Sequence, residues 1–431
     1  MSAGETIFAL SSGQAPAAIG IIRISGAKAS QSLIELTGNL PDPRIGSLRK
    51  ITKPVSGELL DEALCLWFPG PHNATGEDLA EIHCHGGRAV IAAIEGALEQ
   101  MDGLRKAEPG EFTRRAFQNG RMDLAEAEGL SDLLFAETEL QRRAAVQSAS
   151  GIVSRQIEGW QNQLLRISAL VEAEIDFSDE DDVSASHVEE VQRLIGELGL
   201  SFDNILSRPT VEKLRDGIRV VLGGPPNSGK STLLNALVDR DAAIVSDIAG
   251  TTRDVIEVPI ALGGTPFLFI DTAGIRDTGM EEIEAIGIQR ARDQFEQADM
   301  ILWLGPEGEG PTHNGLIEIA SRNDSSDHIA KAEDTISLSP VTGAGMNELV
   351  ALLVEEAAKI LPKLDMVALN KRQSHLLKDA NENLNHAKIQ NDLLILAEYL
   401  RLARQPLDAI TGKASTEDML DALFGKFCIG K

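Results

Sequence analysis

GPPNSGKS, residues 224–231, decides the fold of this chain. An apolar run, residues 218–222, precedes it, and a helix is predicted for residues 231–237. The glycines let backbone N–H groups turn inward around phosphate oxygens, and the N-terminus of the helix adds positive charge. G-x-x-x-x-G-K-S between a strand and a helix is typical of the P-loop that binds nucleoside triphosphates. A chance glycine-rich turn is the alternative, which the flanking strand and helix disfavour.

Phosphate and magnesium binding are predicted for two motifs. We expect Lys230 to reach the β- and γ-phosphates and the Ser231 hydroxyl to ligate Mg²⁺. A strand predicted for residues 267–270 ends in Asp271-Thr272-Ala273-Gly274, which is a D-x-x-G motif. In such a motif Asp271 holds Mg²⁺ and Gly274 senses the γ-phosphate.

The segment between these motifs favours a GTPase. GTTRD, residues 250–254, contains two threonines, and a threonine here can close over Mg²⁺ while the γ-phosphate is present. Residues 255–260 and 266–270 flank Gly263-Gly264 and are predicted to form a hairpin. An ATP-using P-loop kinase or transporter subunit is the alternative that this order of motifs disfavours.

Guanine recognition is predicted from a degenerate motif. GTPases normally recognise guanine with N-K-x-D, and the nearest match here is Ser321-Arg322-Asn323-Asp324. Asp324 keeps the carboxylate that pairs with guanine, and the planar group of Arg322 can stack along the base in place of lysine. Ser339, Pro340 and Val341 stand where a second loop contacts the base. The alternative is that residues 321–327 form only a polar loop.

The predicted catalytic apparatus departs from that of many GTPases. Ile275 follows the D-x-x-G glycine, where a glutamine often orients the attacking water. Another group must therefore position water and offset the charge that develops between the β- and γ-phosphates. The side-chain oxygen of Asn227 suits a monovalent cation at that place. A carboxylate among residues 281–284 is the candidate for orienting the water.

Short blocks along the whole chain resemble one family. The chain ends in Cys428-Ile429-Gly430-Lys431, which resembles the C-[ILV]-G-K signature of the tRNA-modification GTPases of the MnmE (TrmE) type. Further matching blocks, in the same order, are GIIRISG (20–26), WFPGP (67–71), TGED (75–78), HGG (85–87), PGEFT (109–113), RAF (115–117), DL (123–124), the P-loop, GTTRD (250–254) and IG (286–287).

The resemblance implies an α/β and all-α multidomain fold. A P-loop (Ras-like) GTPase domain, residues 217–370, is inserted into a helical domain, residues 120–216 and 371–431. An α+β domain that binds tetrahydrofolate and forms a dimer, residues 1–119, comes first. Helical periodicity on both sides of the inserted domain agrees: Leu164, Ile167 and Val171 share one helix face, and Leu396 and Leu400 share another.

The resemblance also implies an activity. The homodimer is a potassium-dependent GTPase that forms a heterotetramer with a flavin-dependent partner of the MnmG (GidA) type. Together they modify the wobble uridine of certain tRNAs at C5, adding an aminomethyl or carboxymethylaminomethyl group. The one-carbon unit comes from 5-formyl- or 5,10-methylene-tetrahydrofolate.

Motif positions carry the family's roles onto this chain. Catalytic roles are implied for Glu284, Asn227 and Cys428. Potassium contacts are implied for Asn227, Ser246, Ile248 and Thr251, Mg²⁺ contacts for Ser231 and Thr252, and folate contacts for Arg23, Glu81, Arg121 and Lys431. Nucleotide contacts are implied for Asn227, Ser228, Gly229, Lys230, Ser231, Thr232, Ser246, Asp247, Ile248, Ala249, Gly250, Thr251, Thr252, Asp271, Thr272, Ala273, Gly274, Asp324, Ser339, Pro340 and Val341.

The residue that orients water and the role of Cys428 each have an alternative. One extra residue separates Gly274 from the block that contains Glu284, so Glu282 is a second candidate for orienting water. Cys428 could act as a nucleophile or acid near a reactive one-carbon unit, or be only a buried small residue. A purely regulatory GTPase is the remaining class, and the terminal signature and N-terminal blocks argue against it.

Composition limits location and partners. The chain has 431 residues, three cysteines without a C-x-x-C pair, and no run near the ~18 apolar residues of a membrane span. We expect a soluble, cytoplasmic protein with no targeting peptide, no membrane partner and no DNA partner. The net charge of −26 repels RNA, so we expect weak tRNA binding by the chain alone. Either the partner holds most of the tRNA, which we favour, or a local basic patch does.

Overall fold

The described residues form two compact units. The computed structural model describes residues 4–176, 184–240, 256–271, 292–324, 331–332, 335–363, 366–414 and 417–431. The first unit contains the chain up to Ser131 together with Asp408–Lys431, and the second contains Asp132–Leu407. The predicted combination of α/β and all-α parts is confirmed. None of the helices within the described ranges combines the length and apolar character of a membrane span.

A six-stranded sheet organises the first unit. Its strands are β1 (Thr6–Leu10), β2 (Ile19–Ser25), β3 (Ser47–Thr52), β4 (Leu59–Phe68), β5 (Leu79–His85) and β6 (Leu104–Lys106). They lie in the order β3-β4-β5-β2-β1-β6, antiparallel except for the parallel pair β1 and β6. Alternating burial along β2 and β5 shows that one face of this sheet packs on a core and the other is partly open.

Helices cover the buried face of this sheet. The helices in the N-terminal part of the first unit are α1 (Ala29–Thr37), α2 (Arg88–Glu99), α3 (Glu111–Gln118) and the start of α4 (Leu124–Leu134). Apolar residues of α1 and α2, among them Leu33 and Ile94, pack on Ile22, Ile24 and Ile82 of the sheet. In α4, Leu124 and Ala127 are buried, whereas its last residue, Leu134, is exposed.

Long helices begin the second unit. They are α5 (Glu139–Ala149), α6 (Ile152–Asp176) and α7 (Ser184–Leu206). The predicted stripe Leu164, Ile167 and Val171 of α6 is buried. Trp160 of α6 packs edge-to-face on Phe202 of α7, with 4.7 Å between ring centroids. The helical segment therefore has a packed core of its own.

A second six-stranded sheet follows the short helix α8 (Glu212–Arg215). Its elements are β7 (Ile218–Gly223), α9 (Lys230–Arg240), β8 (Ile256–Leu262), β9 (Thr265–Asp271), β10 (Met300–Trp303), β11 (Leu316–Ala320), β12 (Ile336–Ser337) and α10 (Met346–Ile360). The strand order is β12-β11-β10-β7-β9-β8, parallel except for the hairpin of β8 and β9. Gly263 and Gly264 both have positive φ, as a two-residue hairpin turn requires. The predicted strands and hairpin are confirmed.

The chain enters and leaves this sheet at one place. The Val211 N–H donates to the Leu369 carbonyl at 3.1 Å, and the Lys371 N–H donates to Glu212 Oε1 at 2.6 Å. Helices α11 (Lys371–Lys388) and α12 (Leu393–Thr411) follow, and α13 (Glu417–Phe424) lies near the C-terminus. Asn381 of α11 donates to Asp203 of α7 at 2.7 Å. Helices from before and after the sheet thus pack together.

Candidate functional site

The P-loop connects the end of β7 to the start of α9. Gly224 and Gly229 have φ of +145° and +100°, and Asn227 has φ of +63°. A Cβ on Gly224 would lie 2.9 Å from Ser228 Oγ and 3.1 Å from the carbonyl carbon of Leu304, so only glycine fits there. Asparagine is among the side chains that tolerate the left-handed conformation at the exposed position 227. The predicted strand, loop and helix are confirmed.

Lys230 lies inside this loop. Its ammonium group donates to the carbonyl oxygens of Gly224 at 3.0 Å and Pro225 at 2.9 Å, and the residue is 6% exposed. The Ser228 hydroxyl is buried, with no hydrogen-bond partner among the described residues. A buried cation and a buried hydroxyl without a partner fit an anionic ligand such as a phosphate group.

Two oxygen ligands meet beside the loop. Ser231 Oγ donates to Asp271 Oδ2 at 2.7 Å, which joins the first turn of α9 to the end of β9. Asp271 is 2% exposed, whereas Ser231 is exposed. A hydroxyl and a carboxylate are hard oxygen donors of the kind that Mg²⁺ prefers. The donor set therefore fits the predicted magnesium ion.

The remaining phosphate-side predictions fall in two groups. Thr232 lies exposed on the first turn of α9. Ser246, Asp247, Ile248, Ala249, Gly250, Thr251, Thr252, Thr272, Ala273, Gly274, Ile275, Glu282 and Glu284 lie outside the described residues.

Two loops that follow β11 and β12 form the predicted base side. Parallel strands place their carboxyl ends at one edge of a sheet, so these loops lie on the same edge as the P-loop. Ser339 is fully buried, and its hydroxyl accepts from the Thr342 N–H at 3.1 Å. Asp324 and Val341 are exposed. Ser321, which the sequence showed only as a departure from the motif, donates to the Ser228 carbonyl at 3.0 Å.

The predicted folate residues Arg23 and Glu81 are neighbours on the first sheet. They occupy paired positions of β2 and β5, and Arg23 donates to Glu81 Oε1 through Nη2 at 2.8 Å and Nε at 3.1 Å. Burial would raise the pKa of the Glu81 carboxyl, but the hydrogen bonds and charge of Arg23, with His83, hold that pKa below its usual value. The Arg23 guanidinium lies 5.8 Å from the ring centroid of Phe112 at the start of α3.

The C-terminal tail packs against the same part of the first unit. The Gly110 N–H, just before α3, donates to the Cys428 carbonyl at 3.5 Å. Gly430 has φ of +95°, and a Cβ there would overlap the carbonyl oxygen of Leu10 at the end of β1. In the sheet, Ala9 of β1 is paired with Arg23 of β2. Gly430 therefore packs on the residue next to the partner of Arg23.

Two ion pairs hold α13, which leads into this tail. Arg114 of α3 donates to Asp421 at 2.5 Å and also to Glu417. Phe424 and Phe427 are buried with Leu124 and Ala127 of α4. Two of the four predicted folate residues, Arg23 and Lys431, thus lie on segments that meet near the start of α3. The side chain of Arg121, another predicted folate residue, donates to the carbonyl of Asn73 in the loop before β5, at 3.1 Å.

The three cysteines differ in exposure. Cys65 and Cys84 are buried, and Cys428 is exposed. Burial raises the pKa of the Cys65 thiol to about 12, and it also raises the pKa of the Cys84 thiol. The alternative of Cys428 as a buried small residue is therefore wrong.

His83 and His85 each contact a carboxylate, but in the described part of the chain they do not form a metal centre. His83 lies 3.2 Å from Glu81 and His85 lies 2.8 Å from Asp61, through their ring nitrogens. Across the residues that the structure describes, no three His, Cys, Asp or Glu side chains form a metal-binding group.

Comparison with known proteins gives full-length matches. Residues 6–121 match the family described as GTP-binding protein TrmE N-terminus, and residues 124–428 match the MnmE helical domain. Three relatives are each named tRNA modification GTPase MnmE. That of Erythrobacter litoralis is 57% identical, over 99% of this chain and 100% of its own length. That of Novosphingobium aromaticivorans is 54% identical over 99% and 100%, and that of Rhizorhabdus wittichii is 52% identical over 100% and 97%.

Thiol labelling tests the placement of the tail. Because the thiolate is the reactive form, we expect a disulfide reagent at pH 8 to label one thiol per native chain quickly and all three after unfolding. Cys428→Ser should remove the fast phase, whereas Cys84→Ser should leave it unchanged. Two or three fast thiols in the native wild type would show that the buried placement of Cys65 or Cys84 is wrong.

Proposed function

The chain belongs to the MnmE family of tRNA-modification GTPases, and from that premise we propose that it hydrolyses GTP in a potassium-dependent cycle that drives tRNA modification. The arrangement of Lys230, Ser231 and Asp271 at the carboxyl edge of the second sheet is the observation that carries the GTPase part. It joins a buried cation to a pair of hard oxygen ligands, which is what a magnesium nucleoside triphosphate requires.

On the phosphate side of the site, each functional residue has a separate role in this proposal. Lys230 exchanges its two carbonyl partners for phosphate oxygens, which are stronger acceptors because they are charged. Ser231 and Thr252 would hold Mg²⁺, with Asp271 hydrogen-bonded to Ser231, and the ion would supply positive charge against the phosphates. Asn227, with Ser246, Ile248 and Thr251, would hold potassium, which would supply a second positive charge beside the phosphates. Glu284 orients the attacking water.

The first unit supplies the one-carbon site in this proposal. Arg23, Glu81, Arg121 and Lys431 would hold a 5-formyl- or 5,10-methylene-tetrahydrofolate, which would supply the one-carbon unit of the new substituent. Arg23 offers donors for carboxylate or ring oxygens, and Glu81 accepts from ring N–H groups. The exposed Cys428 lies on the tail that packs beside the Arg23 strand, which suits a thiol that takes part in the chemistry.

Partners and domain limits complete the proposal. We assign residues 1–119 to folate binding and dimer formation, residues 217–370 to the GTPase domain, and residues 120–216 with 371–431 to the helical domain. The homodimer works in the cytoplasm as a heterotetramer with a flavoprotein of the MnmG type. The net charge of −26 supports a division of labour in which that partner holds most of the tRNA.

Hydrolysis in two salts tests the GTPase proposal. We expect the purified chain to turn over GTP about tenfold or more faster in KCl than in NaCl, and to use ATP poorly. Asn227→Ala should remove the potassium advantage, whereas Asn391→Ala, at another exposed asparagine in a connecting segment, should keep it. Asp271→Asn should slow GTP turnover in both salts. Equal rates in potassium and sodium would exclude the Asn227 role, and equal use of ATP would exclude the Asp324 role.

Reconstituted modification tests the role of Cys428. With the flavoprotein, tRNA, GTP and a one-carbon folate, Cys428→Ser should abolish the modified uridine while leaving GTP hydrolysis at the wild-type rate, because the tail lies outside the P-loop unit. Mass spectrometry of the digested tRNA measures the product. Modification by Cys428→Ser at the wild-type level would show that this cysteine has no chemical role. Failure of the wild type to bind folate would instead favour the purely regulatory GTPase.

A further inference from the structure

Ser321 links the base side of the candidate site to the phosphate side. It follows β11 directly and is 9% exposed. Its hydroxyl donates to the carbonyl oxygen of Ser228, inside the P-loop, at 3.0 Å. Strand β10 lies between β11 and β7 in the sheet. The hydrogen bond from Ser321 therefore spans the width of one strand to reach the loop that follows β7.

The next residue reinforces the link. Arg322 has φ of +59°, a left-handed conformation that is uncommon outside glycine, asparagine and aspartate. This turn brings its Nε to 3.9 Å from the position that a Cβ would take on Gly229. The arginine side chain therefore lies along the P-loop, on the same segment that Ser321 holds. A strained conformation persists where surrounding contacts determine it.

The other side of this segment is fixed to the second base loop. The Asn323 N–H donates to the Leu338 carbonyl at 3.3 Å, and the Leu338 N–H donates to the Ala320 carbonyl at 2.9 Å. Leu338 is followed by the fully buried Ser339. The exposed Asp324 therefore follows three residues that are held on both sides, and the Ser321 hydroxyl joins them to the P-loop through the Ser228 carbonyl.

We propose that Ser321 is the positioning residue for guanine selectivity in this chain, which rests on the proposed function in GTP binding. Asp324 recognises guanine because its carboxylate accepts from the N1–H and the 2-amino group, and adenine offers neither donor. That recognition needs the carboxylate at a fixed distance from the bound phosphates. The Ser321 hydroxyl fixes this distance by its hydrogen bond to the P-loop. It stands at the position of the asparagine of the N-K-x-D motif.

Nucleotide competition separates positioning from general stability. The dissociation constants of GTP, ITP and ATP are measured by competition with a fluorescent GTP analogue on the full chain; ITP differs from GTP only in lacking the 2-amino group. Ser321→Ala should lower the ratio of the ATP to the GTP constant about tenfold, the size of one net hydrogen bond. The GTP preference over ITP should shrink in the same variant.

Conservative replacements are the first control. Ser321→Thr and Ser321→Asn each keep a donor for the Ser228 carbonyl, so both should restore the selectivity to within about twofold of wild type. Ser207→Ala removes an exposed hydroxyl that donates to the Asn204 carbonyl at 2.9 Å, and it should change no ratio. Equal weakening of GTP, ITP and ATP by Ser321→Ala, or unchanged ratios, would overturn the proposal.

A double-mutant cycle identifies the residue through which Ser321 acts. If Ser321 works by placing Asp324, adding Ser321→Ala to Asp324→Ala should leave the ATP-to-GTP ratio at the value of Asp324→Ala alone. Additive losses would contradict the proposal. A wild-type chain that binds no guanine nucleotide would instead contradict the proposed function, so the two failures are distinguishable.

Discussion

The hydrogen bond between Ser231 and Asp271 joins the start of α9 to the end of β9, and the candidate nucleotide site depends on it. Strands β7 and β9 are adjacent and parallel, with Leu222 paired to Asp271, so the P-loop and this carboxylate leave the sheet side by side. Lys230 then fills the loop from inside, with the loop's own carbonyls as its partners. A bound triphosphate would offer Lys230 charged oxygens, which are stronger acceptors than these carbonyls.

In the first unit, ion pairs between Glu111 and two arginines hold the start of α3. Glu111 is 4% exposed and accepts from Arg105 at 2.6 and 2.8 Å and from Arg115 at 3.1 Å. Burial would raise the pKa of the Glu111 carboxyl, but Arg105 above all lowers it below its usual value. A buried carboxylate with this many donors is well satisfied. The helix that it anchors carries Phe112 beneath Arg23 and meets the C-terminal tail.

Local features were predictable from the sequence because they depend on neighbouring residues. The apolar run before the P-loop became β7, the paired glycines became the turn between β8 and β9, and the helical stripe of α6 is buried. Contacts between distant residues were not predictable. Ser321 and Ser228 are 93 residues apart, and the packing of Gly430 on Leu10 joins the two ends of the chain. The degenerate base motif marked the right segment, but its residues give no sign that the serine reaches the P-loop.

Calorimetric titration of the full chain with GTP and ATP, with and without Mg²⁺, tests the central claim most directly. One site per chain is predicted, with tighter binding of GTP than of ATP, and removal of Mg²⁺ should weaken GTP binding because Ser231 and Asp271 then face the phosphates without the ion. Binding of GTP that does not change with Mg²⁺, or equal binding of GTP and ATP, would contradict a magnesium-dependent guanine site at this edge of the sheet.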